Sequence, residues 1–276
     1  MPQIHGREAQ LLPTVRPSIP IIMPCLKSRA FTLIELLVVI TIIAVLAAVA
    51  LPVFGSVQLS ARKTQSLSNM RQLGALTLSY SNDHNELLPT QSDTQPTWSG
   101  SAQPTTSETT AWYNAVPREA GGRGLADYQN IPAAFYTDKS LFFVPAAKYP
   151  SNKLTAPLFA VAFNSKLYGS IGSETINTIR IPNLQLPART CLFQESGLPG
   201  ETNINSSQSS YNGQASSFAS RSIARYNGRT IIVFADGHSE ELLGNQVVAP
   251  SGKAYYPQLT PPGEVIWTID PTASPN

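Results

Sequence analysis

Charge is scarce in this chain. Of 276 residues only 13% are charged, and the formal net charge is +2. A nucleic-acid binder needs a clustered basic face, and no such cluster is present, so nucleic acid is not expected as a partner. Cysteine is nearly absent. Cys25 and Cys191 are the only two, too few for a disulfide framework. Cys191, in "RTCLFQE", reads as a small buried hydrophobe on a strand. Histidine is equally thin, at His5, His84 and His238. A zinc site needs several ligands at close spacing, and nothing like HExxH occurs. "GLPGETN" and "GGRGLAD" lack the strand and spacing of a phosphate loop. "QESGLPG" lacks the order of a nucleophile elbow. These stretches read as turns. No catalytic constellation emerges, so no enzyme is expected.

Against that background one feature stands out: "KSRAFTLIELLVVITIIAVLAAVALP", from Lys27 to Pro52. Between Phe31 and Phe54 the only charge is Glu35. As a helix the 24 residues would reach about 36 Å, enough to cross a hydrocarbon core of about 30 Å. A secretory signal peptide is the rival reading, and "VLAAVALP" offers small residues for a cleavage site. Its apolar core would be only about 7–15 residues long, and an acid near its start is out of place. Arg7, Arg16, Lys27 and Arg29 against Glu8 put +3 in residues 1–30, leaving the remainder slightly acidic. Lys27 and Arg29 hold that end in the cytoplasm by the positive-inside rule, which puts the bulk of the chain across the membrane.

The segment resembles the N-terminal cleavage and methylation region of type IV prepilins and type II secretion pseudopilins. The resemblance runs from Arg29 to about Tyr80. It consists of a basic leader, a small residue, F-T-L-I-E, a long apolar run, and Pro52 where many pilins kink. It implies that a prepilin peptidase cuts between Ala30 and Phe31 and methylates the new Phe31 amine. Ala30 stands where glycine is usual. Residues 1–30 would then be a removed leader. Met23 would give a more compact one, "MPCLKSRA", and is read as the true start, with the longer leader as the alternative. Glu35, an acid in an apolar run, is expected to act in assembly by pairing with a Phe31 amine.

Beyond the membrane, Leu67, Met70, Leu73, Leu76 and Tyr80 step by threes and fours, which is helical spacing. One long helix is expected from Phe31 to about Asp83, kinked at Pro52 and ended by Pro89. It divides into 31–54 in lipid and 55–85 on a globular domain, 86–276. Residues 90–110 read as a polar low-complexity loop, and 196–222 as a long surface loop. "SLFFVPAAKYP" and "APLFAVAFNSKLYG" carry strand-like clusters, and "NTIRIPNLQLPARTCLFQES" reads as two short strands. "RTIIVFADGHSEELL" reads as a hairpin turning at Asp236-Gly237. This last part resembles the C-terminal H-X9-DG domain that accompanies prepilin-type N-termini, with Tyr226 where that pattern has histidine. Calcium is an open alternative at Asp236, with Glu240, Glu241 and backbone carbonyls as further oxygens. The competing reading is a solvated hairpin tip.

The expected fold is α+β: a long N-terminal helix, half in the membrane, packed on a small antiparallel sheet with long loops. The expected function is a structural pilin-like or pseudopilin subunit in the bacterial inner membrane, single-pass, with a periplasmic body. Its partners would be the prepilin peptidase, other subunits, an inner-membrane assembly platform with its ATPase, and membrane lipid. A membrane-anchored binding module for a ligand such as a polysaccharide is the alternative. A periplasmic enzyme on a signal anchor is a third class.

Overall fold

The computed structural model describes residues 31–91, 95–103, 105–137, 139–167 and 179–276, without the side chains of residues 52 and 53. The chain divides into two units between Leu51 and Pro52. The long helix α1 (Leu33–Asp83) supplies all of the first unit's described secondary structure and opens the second.

In the second unit, residues after Pro52 put one face of α1 into a core. Ser66, Met70, Leu73, Thr77, Tyr80 and Ser81 are buried, while Leu67 and Leu76 are only partly so. The buried stripe is thus centred differently from the apolar spacing, because small polar residues also occupy it. Ser66 and Thr77 tolerate burial by donating to their own helix, at Arg62 O (3.0 Å) and Leu73 O (2.8 Å). The helix ends six residues before Pro89. Asn85 (φ 56°) and Glu86 (φ 65°) take left-handed backbone, and the Glu86 amide reaches Ser81 O at 2.7 Å. A left-handed C-terminal cap stops α1 here, not the proline.

Next come two short helices, α2 (Thr106–Thr109) and α3 (Trp112–Arg118). Six of the seven residues of α3, Trp112 to Pro117, are buried. The described residues of the stretch 90–110 are more ordered than its composition suggests. Trp98 is buried, sets its edge against Phe135 and donates its indole N–H to Leu154 O (3.0 Å). Thr90 pairs with the 110–112 backbone.

Among the described residues five strands form one sheet: β1 (Val161–Asn164), β2 (Cys191–Glu195), β3 (Ser216–Ser217), β4 (Arg229–Phe234) and β5 (Ser239–Leu243). Their order is β3-β1-β2-β4-β5. Three pairings are antiparallel, but β1 and β3 run parallel, so the sheet is mixed and not purely antiparallel. "SLFFVPAAKYP" forms no strand. Phe142 and Val144 are buried among turns, with Pro145 and Pro150 denying ladder amides. The described part of "NTIRIPNLQLPARTCLFQES" contributes one strand, β2, and not two. Arg180 makes only an isolated bridge with Leu87, and Ile181–Asn183 is a 3₁₀ turn.

Both faces of the sheet are covered. Phe163, Phe193, Ile231 and Val233 join Met70, Leu73, Trp112 and Phe159 on the α1 side. Cys191, Ile232, Phe234 and Leu242 meet Val247, Val248 and Trp267 on the other, where the last helix α4 (Gly244–Val247) lies. Double coverage is why β4 reads as an unbroken apolar run without alternation. The 196–222 stretch is a stitched part of the fold and not a surface loop. Leu198, Tyr211 and Ala215 are buried, and the Tyr211 hydroxyl donates to Ser222 O at 2.6 Å.

The β4–β5 turn occupies Ala235, Asp236 and Gly237. The Gly237 amide reaches Phe234 O (2.9 Å), and the Phe234 amide reaches His238 O (2.9 Å). Only Gly237 of the Asp236-Gly237 pair has positive φ, +90°. This is a three-residue connection with glycine at the left-handed position, not a two-residue turn.

Candidate functional site

Phe31 and Thr32 precede α1, and Thr32 caps it. The Thr32 hydroxyl accepts the Glu35 amide (3.3 Å), while Glu35 Oε2 accepts the Thr32 amide (2.9 Å) and hydroxyl (2.7 Å). This reciprocal pair is a capping box, which satisfies two of the four amides a helix start leaves open. Glu35 therefore has a partner inside its own chain, and T-x-x-E before an apolar run was the signal for it. Thr41 hides its hydroxyl on Leu37 O and Val38 O (2.9 and 2.8 Å), so it adds little unmet polarity. The segment is apolar on every face, and the side chains from Leu33 to Val49 are exposed, Leu33 at 84% and Val39 at 45%. A helix apolar all round must be covered by something, lipid or other helices. Among the described residues α1 is the one helix long and apolar enough to cross a membrane. Ala30, with Lys27, Arg29, Met23 and the rest of 1–30, lies outside the described residues. The kink expected at Pro52 falls at the boundary between the two units, and the helical assignment continues through it.

At the other end of the chain, the hairpin tip does not gather ligands. Asp236 Oδ1 contacts His238 Nδ1 (2.6 Å) and accepts the His238 amide (3.1 Å). Glu241 turns to Lys63 of α1 (2.9 Å), while Glu240 is its exposed neighbour on the other side of β5. Among the described residues no three His, Cys, Asp or Glu side chains converge as metal ligands.

Tyr226, ten residues before Asp236, leads to a cluster that the sequence reading missed. Its hydroxyl donates to Glu195 Oε1 (2.8 Å), at the end of β2. Arg225 beside it is buried and grips Glu201 through Nε (3.0 Å) and Nη2 (2.6 Å), with Glu195 Oε1 at 3.9 Å. Glu201 also accepts the amides of Leu198 (2.8 Å) and Lys148 (3.0 Å). Burial pushes the Glu195 carboxyl up to about 7, although Arg225 and Tyr226 pull against that. Burial also raises Glu201, but the Arg225 bonds and charge and the two amides outweigh it, so its carboxyl lies below the usual range. Two carboxylates on one guanidinium, one ionised and one near neutrality, make a structural knot joining β2 to the 196–222 stretch. An acid in the apolar strand "CLFQE" was the available signal, since a buried acid needs a partner.

Residues 25–51 match the family described as the prokaryotic N-terminal methylation motif. The match supports a type IV pilin-like protein, and with the apolar helix it suggests membrane anchoring. It ends at Leu51, so the C-terminal resemblance rests on Asp236, Gly237 and their neighbours alone. No curated protein and no solved structure matches the chain.

Proposed function

We propose that this chain is a pseudopilin-like or minor pilin-like subunit of a type II secretion or type IV pilus-like filament. The reading holds that a prepilin peptidase cuts between Ala30 and Phe31 and methylates the new amine. The helix then holds the subunit in the inner membrane, with its body on the periplasmic side, until an assembly platform adds it to other subunits. The observation that carries this reading is the methylation motif at 25–51 on a helix apolar on all faces. Such a helix can be covered first by lipid and then by its neighbours in a filament.

Glu35 is proposed to pair with the Phe31 amine of an adjacent subunit. In a lipid environment such a pair is weakly screened, and leaving either charge alone is unfavourable. The capping box offers Glu35 a second role, and the two separate by substitution. Glu35→Gln keeps a side chain competent for the box but removes the charge. Glu35→Leu removes both. The mature protein should begin at a methylated Phe31 by mass spectrometry in wild type and in both variants. Sheared filaments should contain wild type and neither variant. A mature N-terminus after "VLAAVA" would defeat the pilin-like reading. Normal filament yield from Glu35→Gln would defeat the pairing and leave the cap as the role of Glu35.

A further inference from the structure

Polar side chains in this domain are mostly committed to the fold. Asn205 holds Ala249 O, Gln208 holds Ser222 O, and Gln258 holds the Trp267 amide. A cavity of about 240 Å³ beside β3 departs from that pattern. Ser165, Gln214, Ser216, Phe218, Ser220 and Arg221 line it. Ser216 is 1% exposed, and its hydroxyl has no hydrogen-bond partner among the described residues. Arg221 forms no ion pair among the described residues. Phe218, one of the lining residues, carries Lys166 Nζ 4.4 Å from its ring centre. Among the described residues no acid lines the cavity.

A lining cation with no acid beside it among the described residues selects an anion, and a guanidinium fork matches a carboxylate or phosphate. Serine hydroxyls and a glutamine amide both donate and accept, which suits the hydroxyls of a sugar. Drug-sized ligands occupy about 300–1,000 Å³, so this cavity takes one small unit. A buried hydroxyl without a partner is unfavourable unless something comes to meet it.

We propose that this cavity binds the carboxylate or phosphate of an acidic sugar. The site lies wholly in the second unit and stands whether or not the chain enters a filament. The test is calorimetric titration of the full chain in detergent with glucuronic acid, glucose and inorganic phosphate. Glucuronic acid should bind saturably, and glucose about tenfold more weakly or not at all, since a charge-assisted fork is the main contact. Arg221→Gln should weaken glucuronic acid about tenfold, and Arg221→Lys less, because it keeps the charge and loses the fork. Ser216→Ala should weaken it while melting as wild type does. An Arg118→Gln control, on a surface pair with Asp127, should change nothing. Equal binding of glucose and glucuronic acid would overturn the proposal, as would no saturable binding, or Arg221 variants that bind as wild type. Inorganic phosphate binding as tightly as glucuronic acid would also overturn it, in favour of a free anion.

Discussion

Glu195 is where protonation and stability meet. Its folded pKa, raised to about 7 by burial, exceeds the 4.5 of a free glutamate. The folded state therefore holds a proton that the unfolded chain gives up. That contribution is fully present below pH 4.5 and is lost as pH rises through about 7. Glu201 works in the opposite sense. Its lowered pKa contributes stability above its unfolded value that disappears as pH falls through the folded one. The melting temperature should therefore decline between about pH 5 and 7.5. Glu195→Gln keeps an acceptor for Tyr226 and should flatten that decline while leaving the loss at acid pH. An unchanged slope in the variant would place the titration elsewhere. Cys191 offers a second residue-scale check. Burial raises its thiol, which should react with a thiol reagent only when the protein is unfolded.

At the scale of elements, α1 lies so close to the β4–β5 hairpin that two glycines mark the contact. A Cβ on Gly74 would stand 2.7 Å from Val233 Cγ1 and 3.3 Å from Gly237 O. A Cβ on Gly237 would stand 2.6 Å from Leu78 Cδ1, at a φ of +90° that a β-branched residue resists. Gly237→Val should destabilise by about 1–3 kcal/mol. Gly74→Val should also destabilise, by overpacking at about 1–3 kcal/mol. Denaturant melts measure both, and an unchanged midpoint for Gly74→Val would deny the close contact. The Lys63–Glu241 bridge between the same elements is partly exposed on both sides. Lys63→Ala should change stability by less than about 1 kcal/mol.

At the scale of the whole molecule, the division at Leu51 separates a segment with no core from one with all of it. The α1-side cluster begins at Leu59 and includes Met70 and Leu73, all after the division. A chain begun at Val57 should remain monomeric by size exclusion. Its melting temperature should lie within about 4 °C of the full chain, a shift of ~1 kcal/mol in a domain of this size. Aggregation of the shortened chain would mean that residues before Val57 cover part of the body.

Local chemistry determined much of this protein from sequence alone. The apolar run and T-x-x-E needed no distant partner to declare a helix and its start, because hydrophobicity and capping act within a turn or two. Ile231 to Phe234 followed by Asp236-Gly237 declared a hairpin for the same reason. What escaped depended on residues far apart in the chain. The parallel pairing of β3 with β1 joins Ser216 to Phe163, and nothing in "ASSF" announces a strand until that partner is present. Trp98 looked like part of a polar loop because the rings that receive it, Phe135 and Tyr136, lie in another stretch. Arg225 and Glu201 are separated by 24 residues, and Glu195 belongs to a strand, so only the folded chain makes them one charge cluster. Ser66 and Thr77 joined the buried face of α1 because tertiary packing selects a face by fit, and their hydroxyls could be satisfied by the helix itself.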